Sequence, residues 1–172
     1  IVYDSKRIEA FFIETFLSSH VEAPKQIILD LDATDNPLHG NQENRFFHGY
    51  YDCYCYLPLY IFCGKELLSA KLRHSSIDAS EGSKEEVERM VGRIRKEWPD
   101  VKVILRADSG FAREGLMRWC ESNDVDYMFG LAKNSRLIEM IERELGEAEE
   151  EYERTKQSSR VFKDFEYSTL KS

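Results

Sequence analysis

Gln26-Ile27-Ile28-Leu29-Asp30-Leu31-Asp32-Ala33 is apolar on both faces until its end. That is the pattern of a strand buried in the middle of a sheet. Side chains alternate along a strand with a period of two, so Asp30 and Asp32 share one face. A second stretch answers the first: Val103-Ile104-Leu105-Arg106-Ala107 reads as a short buried strand, with Asp108-Ser109-Gly110 at the turn into a helix.

Before the first strand, Ile8, Phe11, Phe12 and Phe16 recur at helical spacing and predict a helix from Ser5 to about Leu17. After it, residues 35–42 hold the breakers of a loop. The aromatic run 49–62 favours strand. Gly64-Lys65 is the turn of a hairpin that returns from Glu66 to Arg73. Ser83 with Glu86 three residues later is a capping box for a helix that stops at Pro99. A strand begins at Val101, a helix runs from Phe111 to Ser122, a strand from Val125 to Leu131, and a helix from Ser135 to about Glu151. Val161, Phe162, Phe165 and Tyr167 predict a last strand over 160–167.

Leaving out the leading helix and that last strand, a β-β-β-α-β-α-β-α order with right-handed crossovers puts the fourth strand beside the first and parallel to it. The fold class is therefore α/β, with a mixed five-stranded sheet of ribonuclease H-like layout, flanked by helices. The ends of the first and fourth strands then lie roughly 5 Å apart, so that carboxylates from both, Asp32 and Asp108, meet outside the sheet, where open α/β sheets place their ligands. Paired carboxylates suit two Mg²⁺ ions, about 4 Å apart, that clamp an in-line attack on a phosphodiester. Taken alone, Asp108 reads equally as a cap for the following helix and Asp32 as a turn residue. Their joint placement favours the metal reading.

The 172 residues carry 24 basic and 32 acidic side chains, a net charge of −8. Seven Glu against one Arg fall in residues 142–153, a solvated helix face. This balance excludes a free-standing domain that grips nucleic acid through Lys and Arg alone. No apolar run approaches the roughly 18 residues of a membrane helix. Cys53, Cys55, Cys63 and Cys120 lack zinc-site spacing, and free thiols fit a reducing cytoplasm. The start, with neither an initiator Met nor a signal-peptide pattern, reads as part of a longer protein.

Residues 28–40, from Ile28 through Asp32-Ala33-Thr34 to His39-Gly40, resemble the first acidic motif of DDE-type insertion-sequence transposases, with Gly49-Tyr50-Tyr51 and Tyr56-Leu57-Pro58-Leu59 following in family order. Ile104 to Ala112, around Asp108-Ser109-Gly110, resembles the second motif, and residues 126–134 the strand after it. The resemblance implies a transposase catalytic core that cleaves and transfers strands with Mg²⁺, Mn²⁺ substituting. It implies double-stranded DNA partners (transposon ends and target), a homodimer in the full-length protein, and action on DNA in a prokaryotic cytoplasm, away from membranes. Asp32 and Asp108 match its first two catalytic and metal-binding acids. Its third acid, a Glu on a late helix, has no counterpart before Ser172. The family pattern divides the chain into a leading helical segment (1–24), a partial catalytic core (25–152) and the start of a β-rich insertion (153–172), and implies that these residues alone are inactive.

Asp30-Leu31-Asp32-Ala33-Thr34 also satisfies DxDxT, the first motif of haloacid-dehalogenase-type phosphatases, in which Asp30 is the nucleophile. Asp30 is thus the alternative first acid, and an all-parallel sheet would favour that reading. A non-catalytic DNA-docking or dimerisation module is a further alternative. Arg45, His48, Lys133 and Arg136 are candidate substrate-binding residues, and Arg106 could meet phosphate or pair with Asp108.

Overall fold

The computed structural model describes residues 4–168. Helix α1 (Ser5–Ser19) is capped by Asp4, whose carboxylate accepts from the Arg7 amide. The strands are β1 (Gln26–Ala33), β2 (Asn36–Pro37), β3 (Phe46–His48), β4 (Cys53–Tyr56), β5 (Leu59–Cys63), β6 (Glu66–Lys71), β7 (Lys102–Ala107) and β8 (Val125–Phe129). Helices α2 (Ser83–Glu97) and α3 (Glu114–Ser122) form the two crossovers, and α4 (Ser135–Met140) and α5 (Glu142–Thr155) follow β8. The chain divides into two compact units at Leu131/Ala132.

In the first unit the main sheet has the order β6-β5-β1-β7-β8. Strand β1 is central, antiparallel to β5 and parallel to β7, and β8 is parallel to β7. This is the mixed, ribonuclease H-like sheet expected, and it removes the all-parallel alternative. Ile27, Leu29 and Leu31 of β1 are buried with Val103 and Leu105 of β7 and Leu59 and Ile61 of β5. Against them pack Ile13 and Phe16 of α1, Val87, Met90 and Ile94 of α2, and Leu116 and Cys120 of α3. The core lies on one face, and the alternate residues of β1 point to the other.

The aromatic run does not form one strand. Leu57 and Pro58 interrupt it, and β4 instead joins β2 and β3 in a separate sheet of order β2-β4-β3. Proline cannot donate to a ladder, so the run breaks there. The expected capping box is also absent. Gly82 caps α2 in a left-handed conformation, and Glu86 turns inward to Ser69, Lys71 and Arg89.

The helix expected from Ser135 to Glu151 breaks at Ile141 into α4 and α5. In that second unit the described residues after Lys156 form no strand. Val161, Phe162 and Phe165 instead line an apolar groove with Ile141, Leu145 and Ala148. Val161 and Phe162 are adjacent, so the sequence does not keep the strict alternation of a half-buried strand. Residues 1–3 of the leading segment and 169–172 of the expected insertion lie outside the described residues.

Candidate active site

The register of β1 on β7 builds the site. Pairing runs from Gln26 opposite Lys102 to Leu31 opposite Ala107. The next residue on each strand is an aspartate, Asp32 and Asp108. Adjacent strands lie about 4.8 Å apart, so the two carboxylates leave the sheet side by side. Asp108 keeps an extended backbone (φ −75°, ψ −175°), which continues the alternation of β7 and puts its side chain on the face opposite the core. Both aspartates are exposed.

Asp30, one pleat back on the same face, is already engaged. Arg106 holds it in a two-pronged pair, Nε 2.5 Å from Oδ1 and Nη2 2.9 Å from Oδ2. The arginine therefore partners Asp30 and not Asp108. The Asp32 carboxylate, by contrast, accepts no hydrogen bond and no ion pair among the described residues.

Asp108 serves two purposes. Its Oδ1 accepts the Gly110 amide at 2.8 Å and so caps the 3₁₀ turn Ser109–Phe111. One oxygen is thus fixed by the backbone while Oδ2 stays open. The capping reading and the ligand reading are compatible, because they use different oxygens.

Tyr51 is a site residue to which the sequence assigns no role. Its hydroxyl faces the Ala33 carbonyl at 3.5 Å, and its ring packs against His48 and Tyr50 at 4.9 and 5.0 Å. Burial lifts the phenol above its usual ionisation range, as do the charges of Asp35, Tyr50, Asp32 and Asp108. The phenol therefore stays protonated, as a hydrogen-bond donor, at neutral pH. The only hint in the sequence is its place in the Gly49-Tyr50-Tyr51 segment.

The donor set fits a hard divalent cation. Mg²⁺ takes one or two carboxylates and completes its shell with water and phosphate, and Asp32 with Asp108 Oδ2 offers that set. Among the described residues no group of three or more His, Cys, Asp or Glu side chains is placed to hold a metal ion.

Of the other candidates, His48 lies on β3, with its Nδ1 buried and unpartnered among the described residues. The Arg45 guanidinium donates to the Gly40 carbonyl and stacks 4.7 Å over the Tyr54 ring. Lys133 and Arg136 belong to the second unit, where Arg136 lies 5.2 Å over the Tyr167 ring.

A mixed five-stranded sheet of this order, with helices packed on it, defines a ribonuclease H-like fold. The chain belongs to the family described as Transposase DDE domain group 1, whose model matches residues 2–172. The phosphatase reading of DxDxT falls with that match. Similar solved structures include a piggyBac transposase synaptic complex with hairpin DNA, at 14% identity and TM-score 0.43 over 81% of this chain and 33% of that one. The catalytic domain of Mos1 mariner transposase aligns at 12% identity and TM-score 0.42, over 94% of this chain and 78% of that one. The HTLV-2 integrase catalytic core in complex with magnesium aligns at 14% identity and TM-score 0.35, over 75% and 72%. The chain thus spans about a third of the piggyBac chain. No curated protein matches it. Among the described residues, no helix is long and apolar enough to cross a membrane.

Proposed function

We propose that Asp32 and Asp108 hold Mg²⁺, replaceable by Mn²⁺, and that the full-length protein cleaves and transfers DNA strands at transposon ends. The observation that carries this reading is the β1–β7 register, which sets two aspartates side by side on the open face while Arg106 neutralises Asp30. When bound, the cation polarises the scissile phosphate and favours the ionised attacking hydroxyl. The chain's own part is to fix the carboxylates, keep Asp30 out of the ligand set, and offer the Tyr51 hydroxyl as a donor. A third carboxylate from outside this pair completes the two-metal arrangement, and the 172 residues alone cleave nothing. Double-stranded DNA is the substrate, and the working form is a homodimer.

Thermal melts test the metal. A cation that binds only the folded state at ten times its Kd stabilises it by about 1.4 kcal/mol. For a chain of this size that raises Tm by about 3–6 °C. Mn²⁺ is expected to give such a shift in the native chain and none in Asp108→Asn. Equal shifts in both would place the cation elsewhere.

Tyr51 has its own test. Losing one hydrogen bond to the reacting phosphate costs about 1–1.5 kcal/mol, so Tyr51→Phe should slow strand cleavage by the full-length protein about tenfold. DNA affinity and Tm should stay near the native values. Unchanged cleavage would remove Tyr51 from the machinery.

A further inference from the structure

Two glycines from different parts of the chain crowd Asp108. Gly110 follows it in the 3₁₀ turn, and Gly130 comes directly after β8. The Gly130 amide donates to the Ala107 carbonyl at 3.0 Å, extending the β7–β8 ladder by one step. A Cβ built on Gly110 would lie 2.9 Å from Asp108 Oδ1 and 3.6 Å from the Ala79 Cβ. One on Gly130 would lie 3.1 Å from the Ser109 nitrogen and 3.4 Å from the Asp108 carbonyl carbon. Neither glycine has a positive φ. Close approach, and not backbone conformation, is what a side chain would disturb at these positions.

We infer that Gly110 and Gly130 are positioning residues that together set the direction of the Asp108 carboxylate, Gly110 through its oxygen and Gly130 through its backbone. The inference rests on Asp108 being a metal ligand. The two contacts predict different consequences. At Gly110 the obstructed atom is the end of a side chain, and the least costly relief is rotation of the carboxylate. A carboxylate is rigid, so turning Oδ1 away from the Gly110 amide also turns Oδ2, the oxygen left for the cation. The fold is spared and the ligand is misaimed. At Gly130 the obstructed atoms are backbone at the β7 end, so relief shifts the whole aspartate and strains the β7–β8 ladder as well.

The experiment compares Gly110→Ala, Gly130→Ala and Asp108→Asn in the full-length protein. Gly92→Ala and Gly115→Ala serve as controls, because a Cβ there meets nothing within 4 Å. The readouts are Tm without metal, the Tm shift with Mn²⁺, and strand cleavage. Gly110→Ala should keep its metal-free Tm within about 2 °C of native, because only a side chain has moved. It should lose at least half of the Mn²⁺ shift and slow cleavage by roughly ten- to a hundredfold, the scale of an ångström-sized misplacement. Higher Mn²⁺ should recover part of that loss, as it should not for Asp108→Asn. Gly130→Ala should show the same metal defect with a lower metal-free Tm, and the controls none. A native Mn²⁺ shift and native cleavage in Gly110→Ala would overturn the inference, and so would a metal-free Tm more than about 10 °C below native. Asp108→Asn separates the two levels: if it keeps the Mn²⁺ shift, the ligand reading itself has failed. If it loses the shift while both glycine variants keep theirs, only the positioning role has.

Discussion

Asp32→Asn and Asp108→Asn are each expected to lower strand cleavage by the full-length protein at least about a thousandfold, a loss of roughly 4 kcal/mol of transition-state stabilisation. Asn keeps the volume of the side chain but gives up its charge and one hard oxygen, so a folding defect should not accompany the loss. Asp30→Asn is the informative contrast. It leaves Arg106 without its partner, but that pair is more than a third exposed on the arginine side, and exposed pairs contribute about 1 kcal/mol or less. Cleavage should then fall by less than about tenfold. The order Asp32 and Asp108 far above Asp30 is what the proposed site predicts, since Arg106 already pairs with Asp30. An inactive Asp30→Asn beside an active Asp32→Asn would exchange their roles. Strand cleavage in vitro with Mn²⁺ and a labelled end duplex reads all three.

The parts of the fold that were legible in the sequence are those in which one signal dominates. Strand β1 has the bounds read for it, Gln26–Ala33, because a continuous apolar run flanked by Pro24 and a loop admits little else. The parallel pairing of β1 with β7 follows from strand order and crossover hand, without any side-chain detail. Local pattern is uninformative where long-range partners overrule it. Phe46–His48 forms β3 only because β4 is there to pair with it. Asp30 and Asp32 look alike in sequence, and it is Arg106, 76 residues away, that separates them. Gly110 reads in the sequence as a turn residue, but the close approach of Gly110 and Gly130 to Asp108 does not, since contact between distant segments leaves no periodicity. Residues 160–167 have the composition of a strand without an edge to join in their own unit.

Glu86 is the sharpest case of local pattern misleading, and it supports the largest stability prediction. Three residues after Ser83 it has the spacing of a cap partner, which would be a surface role. Instead it is 1% exposed, accepting from Ser69 Oγ at 2.7 Å, Lys71 Nζ at 2.7 Å and Arg89 Nη2 at 2.5 Å. Burial alone would raise its ionisation, but Arg89, Lys71 and Ser69 together outweigh it and hold the carboxyl at about 2 against 4.5 in a free side chain. The folded value is depressed, so the stabilisation is complete above pH 4.5 and is lost as pH falls through the range down to about 2. Its size follows from the width of that range, roughly 3 kcal/mol. Removing the anion also leaves Lys71 and Arg89 with only the longer contacts to Glu9, at 3.6 and 3.9 Å, and the whole loss is about 3–5 kcal/mol. Glu86→Gln is thus expected to lower Tm at pH 7 by about 6–20 °C, at 2–4 °C per kcal/mol. The gap from native should shrink on going to pH 3, because the native chain is then losing the same interaction. Asp78, held at about 2 by Ser80 and Arg113, weakens both proteins alike and cancels in the comparison. A cap partner at the helix surface would predict a shift of a degree or two, since Gln serves a capping box as well as Glu. A small gap at pH 7 would therefore return Glu86 to that lesser role, and a large one unchanged at pH 3 would show that the loss does not come from the ionised carboxylate.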